Sequence, residues 1–560
     1  MKSRSIASTI ALGLGLSVGL LAILAHPSKI SRADPTIYYV REGASGTACT
    51  LSEPCGSIQQ AIGFATSPDD EVRVATGVYT ENLDINHSVT LQGGWNSSFS
   101  AQDPTSTATV IDGDGDHNVR IDAPAAEVAI EAVALENGKD GIHIDNGNVT
   151  VERCTIRDAE KQGFEIDDGT VSISATQILT AQQGIEIDGG DVRVAHVHIA
   201  HTIREGLFIE NGGTVTVTAS TIEDCGQEGV QVDRGSLWLF DNTVRDVISD
   251  GIRVQADAST SIISNVVRGV AANAGADYHG IQVSGDQVVR RNVIADVDDR
   301  GICARDGAPT IQDNVVHDTG GDGIRTAQTC TNVEIRGNTV YNCGNDGIDA
   351  RGDSVIVAGN TVSGCADNGI KADLVSHWVR IDANWALSNG VGIAVRDTPA
   401  FTLTNNVAGD NVSSGVELSG TATGLVYHNT LVGSGTGVQG DGLVILSPLT
   451  AMLANNIVVS HSVGITATTG ATLIVSNTLL WANADDPVSG TAVLPNPPLF
   501  VAPAQQDYHL LADSPAVDAG IDVGVPADVD GDSRPVGPLP DVGADEFRHA
   551  VFFSLVLRGS

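Results

Sequence analysis

The chain has 560 residues, 41% of them hydrophobic, with 63 Gly, 2 Met and only 4% aromatic residues. Acidic residues outnumber basic ones by 69 to 30, a formal charge of −39. The apolar content excludes wholesale disorder, and the charge excludes a general nucleic-acid binder and tight attachment to anionic lipid headgroups.

The chain opens with Lys2 and Arg4, an uncharged and mostly apolar run from Ile6 to Ala25, and small residues at Ser31 and Ala33. Basic, apolar, small is the order of a secretory signal peptide, here over 1–33 with cleavage before Asp34. The expectation is a secreted or cell-surface protein of bacterial type, without a membrane span in the mature chain unless the signal is retained. Export permits disulfides, and Cys49 and Cys55 bound a short loop that one would close. None of the 8 cysteines forms a CxxC pair, so a structural zinc site is not expected. Residues 34–124 read as an N-terminal cap with the first coils. Within it Ile58, Ala61, Ile62 and Ala65 make one apolar helical face that would plug the open end of a stack of strands.

The span 125–480 is a repeat. Glycine followed by an apolar residue recurs at 141, 163, 184, 206, 229, 251, 280, 301, 323, 347, 369, 392, 415, 437 and 464, and twelve of the fourteen steps are 21 to 24 residues. After most of these glycines apolar and polar residues alternate, as in Gly184-Ile-Glu-Ile-Asp188, which predicts a strand with one buried face. Each repeat holds three such runs. Asn242, Asn265, Asn292, Asn314, Asn338, Asn360 and Asn406 stand at a second fixed place, with Asn384, Asn429 and Asn456 one residue out of step. Cys154, Ala175, Val197 and Ser220 hold that place in the earliest coils. Asn tolerates left-handed backbone at a bend, and stacked amides bond from coil to coil. A leucine-rich repeat would need a Leu-x-x-Leu-x-Leu frame, and a propeller would need blades of about 40 residues. The fold predicted is all-β: a single-stranded right-handed parallel β-helix of three strands per coil and about 15 coils.

The pattern fades after Trp481, where prolines at 487, 495, 497, 498 and 503 interrupt it. Residues 481–546 read as a C-terminal cap or anchor-type segment, and 547–560 as an apolar tail ending near Arg558. Asp528, Asp530 and Asp532, alternating around Gly531, are candidate Ca²⁺ ligands, although no Glu follows at the place an EF-hand requires.

The repeat Asn338-Thr-Val-Tyr-Asn-Cys-Gly-Asn-Asp-Gly-Ile348 resembles the coil unit of the pectate-lyase-like right-handed β-helix proteins, including the carbohydrate-binding and sugar-hydrolysis group. Tyr38-Tyr-Val, Pro54-Cys-Gly-Ser-Ile-Gln-Gln-Ala-Ile62 and Val89-Thr-Leu-Gln-Gly-Gly-Trp95 resemble the start of such proteins. The C-terminal segment is similar to that of bacterial surface proteins with interchangeable anchors. The resemblance implies a polysaccharide or cell-envelope glycan as partner. The pectate-lyase and polygalacturonase signatures themselves are not recognisable.

Outward residues at one place on successive coils form ladders. Two after the repeat glycine these include His143, Glu165, Glu186, Phe208, Gln231, Arg253, Gln282, Cys303, Arg325, Asp349, Lys371, Ala394 and Glu417. Four after it they include Asp145, Asp167, Asp188, Glu210, Asp233, Arg305, Arg351 and Asp373. The early coils make an acidic strip, for which bound Ca²⁺ is one answer to like-charge stacking. The later coils mix signs, and Arg325, Asp349, Arg351, Lys371 and Asp373 lie on three adjacent coils. A uronic-acid lyase needs a cation for the sugar carboxylate, a base at C5 and an acid at the leaving oxygen. Lys371 or Arg325 is the candidate base, and Asp349 and Asp373 are candidate metal ligands. A glycoside hydrolase would use Asp349 and Asp373 as its two carboxyls. The long 251→280 coil carries an insertion that ends in Asp277-Tyr278-His279, with Tyr278, His279 and Arg305 as candidate substrate contacts. Cys343 and Cys365, each four residues before a repeat glycine, are a candidate second disulfide. The alternative to polysaccharide binding and cleavage is a non-catalytic surface adhesin or scaffold.

Overall fold

The computed structural model describes residues 35–106, 108–271, 277–434, 440–486 and 496–548. The expected signal peptide, residues 272–276 of the insertion, repeat glycine 437 and the apolar tail beyond 548 lie outside the described residues. All described secondary structure falls within Thr36–Ser560. It is a right-handed parallel β-solenoid of about 17 turns.

Alternation dictates the local structure. In one coil Gln183–Ile187, Asp191–Ala195 and His198–Thr202 are successive strands. Each pairs in register with the equivalent strand one coil away: Glu186 with Phe208, Arg193 with Thr216, His198 with Thr221. The coils therefore form three parallel stacks. Inward residues such as Ile185, Ile187, Val192 and Ile199 are at most 1% exposed. Each buried Val or Ile stabilises the shaft by about 1.5–3 kcal/mol. More turns form than the glycine column predicts because the N-terminal region already winds as coils. Ile37–Val40 pairs with Glu71–Ala75, which pairs with Val89–Trp95, and Leu83–Ile85 pairs with the strand at Val119. The helix Ile58–Phe64 buries Ile58, Ala61 and Ile62 as its apolar face requires, and the Glu81 carboxylate accepts hydrogen bonds from the backbone N–H groups of Ile58 and Gln59 at its N-terminus.

The two sequence columns have distinct causes. A Cβ on repeat glycine Gly323 would lie 2.7 Å from the Gly347 carbonyl oxygen and 2.4 Å from Val340 Cγ1. The column exists because coil backbones approach closely there. The asparagines form a continuous buried ladder. Asn338 donates its backbone N–H (2.9 Å) and Nδ2 (2.9 Å) to Asn360 Oδ1, and Asn360 does the same to Asn384. Asn384, Asn429 and Asn456 stand in this ladder like the rest, so the irregular spacing lies in the segments that follow them. The left-handed residue at the bend is not the asparagine but the residue before it, as at Asp241, Arg291 and Asp313. In the early coils Thr176, rather than the expected Ala175, and Ser220 fill the column with hydroxyl oxygens.

Cys49 and Cys55 form the expected disulfide. Cys343 and Cys365 do not; both are free, buried thiols. The strand holding Cys343 pairs in register with the one that ends two residues before Cys365, Tyr341 opposite Ser363. Side chains on stacked strands therefore run parallel at roughly the 4.8 Å strand spacing instead of turning their Cβ atoms toward each other.

The segment after the coils lies along the flank of the third stack. Tyr508, Leu510, Ala516, Val542 and Ala544 pack on outward residues Val407, Val432, Ile457, Val459 and Leu479. Strand Phe500–Ala502 pairs antiparallel with Asp507–Leu510. Among the described residues no helix is long and apolar enough to cross a membrane.

Candidate functional site

The ladders stack as the spacing predicts: Gln282, Cys303, Arg325, Asp349 and Lys371 are consecutive partners in the first stack. Beside them runs a column overlooked in the sequence apart from His279, the residue immediately before each repeat glycine. It reads Asp250, His279, Arg300, Asp322, Asp346 and Asn368. All but Arg300 are at most 3% exposed. Its signal in the sequence was the charged or amide residue before nearly every repeat glycine.

These columns border a cleft of about 350 Å³ lined by Asp277, Arg300, Cys303, Arg305, Arg325 and Arg351. It lies earlier along the shaft than the expected Arg325–Asp373 centre, and Asp277, from the inserted segment, stands at its rim. Acids hold each guanidinium. Arg300 pairs with Asp277, with Asp299 at 3.1 Å and with Asp322 at 3.3 Å. Arg325 lies 3.4 Å from Asp322 and 3.6 Å from Asp349, and Arg351 lies 2.9 Å from Asp349 and 3.8 Å from Asp373. Arg305 donates to Gln282 Oε1 at 2.7 Å and to Asp277 Oδ2 at 2.9 Å. Buried carboxylates need such partners, because an unpaired buried charge costs several kcal/mol.

His279 lies beneath Arg305 with its side chain wholly buried. Its Nε2 is 3.3 Å from Arg305 Nη2 and its Nδ1 3.6 Å from Asp299, and its backbone N–H donates to Asp250 at 2.7 Å. Burial lowers its pKa to about 4, so the imidazole is neutral at neutral pH. Burial, aided by Asp277, raises Asp299 to about 6. Burial also raises Asp250 to about 7. For Asp277 the upward pull of burial is overcome by hydrogen bonds from Arg300 and Arg305, which hold it well below the usual carboxylate range.

The remaining expected residues are placed as follows. Lys371, a candidate base, has its Nζ 3.0 Å from Asp346 and 3.8 Å from Asp349, where it neutralises two buried carboxylates. Arg325, the other candidate, is likewise engaged by acids. Asp349 is 1% exposed, so the two-carboxyl arrangement of a hydrolase is not presented at the surface. Tyr278 is half-buried. The Asp528, Asp530 and Asp532 carboxylates engage separate partners. Asp528 accepts from the backbone of Asp530, Asp532 and Glu546, Asp530 meets His509 at 2.9 Å, and Asp532 meets Arg548 at 2.5 Å. The acidic strip is relieved by interleaved partners: Arg120 on Asp145 at 2.8 Å, Asn211 on Asp188 at 3.0 Å, and Gln162 on Glu186.

Comparison with solved structures returns pectate lyase Pel9A, at 14% identity over 92% of this chain and 98% of that one, with a TM-score of 0.23. The Azotobacter vinelandii mannuronan C-5 epimerase AlgE4 A-module is similar at 13% identity over 73% of this chain and 97% of that one, with a TM-score of 0.26. The periplasmic alginate epimerase AlgG is similar at 13% identity over 68% and 77%, with a TM-score of 0.24. No curated protein sequence matches the chain. The profile described as the right handed beta helix region matches residues 140–280 and 279–439, more than half of the sequence. With its stacked coils, glycine column and asparagine ladder, the chain belongs to the right-handed β-helix family.

Proposed function

We propose that the chain binds an acidic polysaccharide along the first-stack face, with a uronate carboxylate seated among Arg305, Arg325 and Arg351, and that it cleaves the polymer by β-elimination. The observation that carries this reading is the gathering of four arginines around one cleft in a chain of formal charge −39. Planar guanidinium groups pair with carboxylates through two hydrogen bonds, and buried acids below hold these in place. Export is part of the reading, supported by the Cys49–Cys55 disulfide, which persists in oxidising compartments.

Neutral His279 takes the role of base. Arg305, which covers it, swings to the sugar carboxylate. The imidazole then removes the C5 proton, the electron pair forms the C4–C5 double bond, and the C4–O bond breaks as the leaving oxygen takes a proton from solvent water. Full burial of His279 in this state favours a second reading, a non-catalytic adhesin or scaffold in which Arg305 stays in place.

The test is a screen of uronic-acid polymers, with and without Ca²⁺, by calorimetric binding and by ultraviolet absorbance of the unsaturated product. Arg325→Ala and Arg351→Ala are expected to weaken binding roughly ten- to a hundredfold. His279→Gln is expected to abolish product while binding persists. Binding without product from the wild type selects the scaffold reading. Equal binding of neutral and acidic polymers, or none, overturns the acidic-polysaccharide reading.

A further inference from the structure

Far from the arginine cleft, on the early coils, His117, Asp140 and His143 come together. One ligand atom of each lies within 4.8 Å of the others. The two imidazoles meet edge to face at 5.1 Å. Asp140 is fully buried. Its Oδ1 accepts from the Gln162 backbone at 3.3 Å, while its Oδ2 makes no hydrogen bond. His117 Nδ1 is 2.8 Å from that Oδ2, and Lys139 Nζ is 3.3 Å from it. His117 Nδ1 and both ring nitrogens of His143 are also buried without a hydrogen bond.

We infer that His117, Asp140 and His143 form a binding site for a divalent transition-metal ion of the zinc class. Four buried polar atoms at one place that have charged neighbours but no hydrogen bond are unusual, because buried donors and acceptors are nearly always hydrogen-bonded. A nitrogen and an oxygen in contact at an angle unsuited to a hydrogen bond match two ligands directed at a common third atom. Two imidazoles and one carboxylate suit Zn²⁺ and leave a coordination position open. Ca²⁺ and Mg²⁺ prefer all-oxygen shells. Around His143, Glu165 at 2.8 Å, Asp145 at 3.4 Å and Asp167 at 3.5 Å are carboxylates that add negative charge, which favours a cation there. The Lys139 side chain is 33% exposed and free to swing outward as the ion enters.

The experiment uses the untagged full chain stripped with chelator. Calorimetry with ZnCl₂ is expected to find a site that CaCl₂ and MgCl₂ do not compete for. His117→Ala and His143→Ala are each expected to weaken that site by at least roughly tenfold, with circular dichroism unchanged. Anomalous diffraction at the zinc edge from wild-type crystals is expected to place the ion between the three side chains, a readout that does not depend on the variants folding. No Zn²⁺ binding, undiminished affinity in the double variant, displacement by Ca²⁺, or an anomalous peak only elsewhere would overturn the proposal.

Discussion

Asn360 occupies the middle of the buried ladder. Its Nδ2 donates to the carbonyls of Ile335 (3.0 Å) and Ala358 (3.2 Å) and to Asn384 Oδ1 (2.9 Å), and its Oδ1 accepts twice from Asn338. Alanine there strands several buried partners at once. We expect Asn360→Ala to cost about 3 kcal/mol, read from the urea midpoint. Two glycines make a matched test of packing. Gly323→Ala drives a methyl against the next coil and is expected to cost about 1–3 kcal/mol. Gly63 lies in the helix Ile58–Phe64 with nothing within 4 Å of its would-be Cβ. Gly63→Ala is expected to stabilise by about 0.5–1 kcal/mol by restricting the unfolded chain and favouring helix. Opposite signs for the two alanines separate steric exclusion from backbone preference.

At the scale of elements, the C-terminal segment is docked by a titratable contact. His428 Nδ1 donates to the Asp541 carbonyl at 3.0 Å, and its Nε2 accepts from Asn455 Nδ2 at 2.9 Å, so the docked form requires neutral imidazole. Burial, with Arg534 nearby, lowers its pKa to about 3. A histidine depressed in the folded state contributes stability that is whole above its unfolded pKa of about 6.5 and is lost as pH falls toward the folded value. Asp541, raised by burial to about 6, acts with the opposite sign over part of this window, so a difference measurement is needed. The stability advantage of wild type over His428→Gln is expected to shrink by about 1.4 kcal/mol per pH unit below about 6.5. Hydrogen exchange of residues 516–546 checks this. An advantage independent of pH would show that His428 does not couple docking to protonation.

Across the whole molecule, 69 acids against 30 bases make the folded chain repel itself. Local pairing relieves only part of this, as at Arg120–Asp145 and around the arginine cleft. Added sodium chloride is expected to raise the thermal midpoint, since exposed charges are screened beyond about 10 Å at 0.1 M salt. A midpoint that falls with salt would mean that the ion-pair networks outweigh the net repulsion.

The sequence by itself determined the solenoid, its three strands per coil, the Cys49–Cys55 bridge and the order of the outward ladders. Period is a local property: with coils near 22 residues, in-register stacking follows from alternation, and Arg325, Asp349 and Lys371 had to be neighbours. The tertiary structure alone decided how far each column lies from water. Asp349 and His279 share a face with Arg305 and Arg351 yet lie beneath them, because neighbouring coils and long guanidinium side chains cover them. It alone showed that Arg300, in the column before the repeat glycines, lines the cleft, and that Cys343 and Cys365 run parallel without joining. It also placed the C-terminal segment along the flank. Val407-Ala-Gly409 and Ile457-Val-Val459 lack the polar alternation of an exposed strand, and only the folded chain supplies the second apolar surface that explains why.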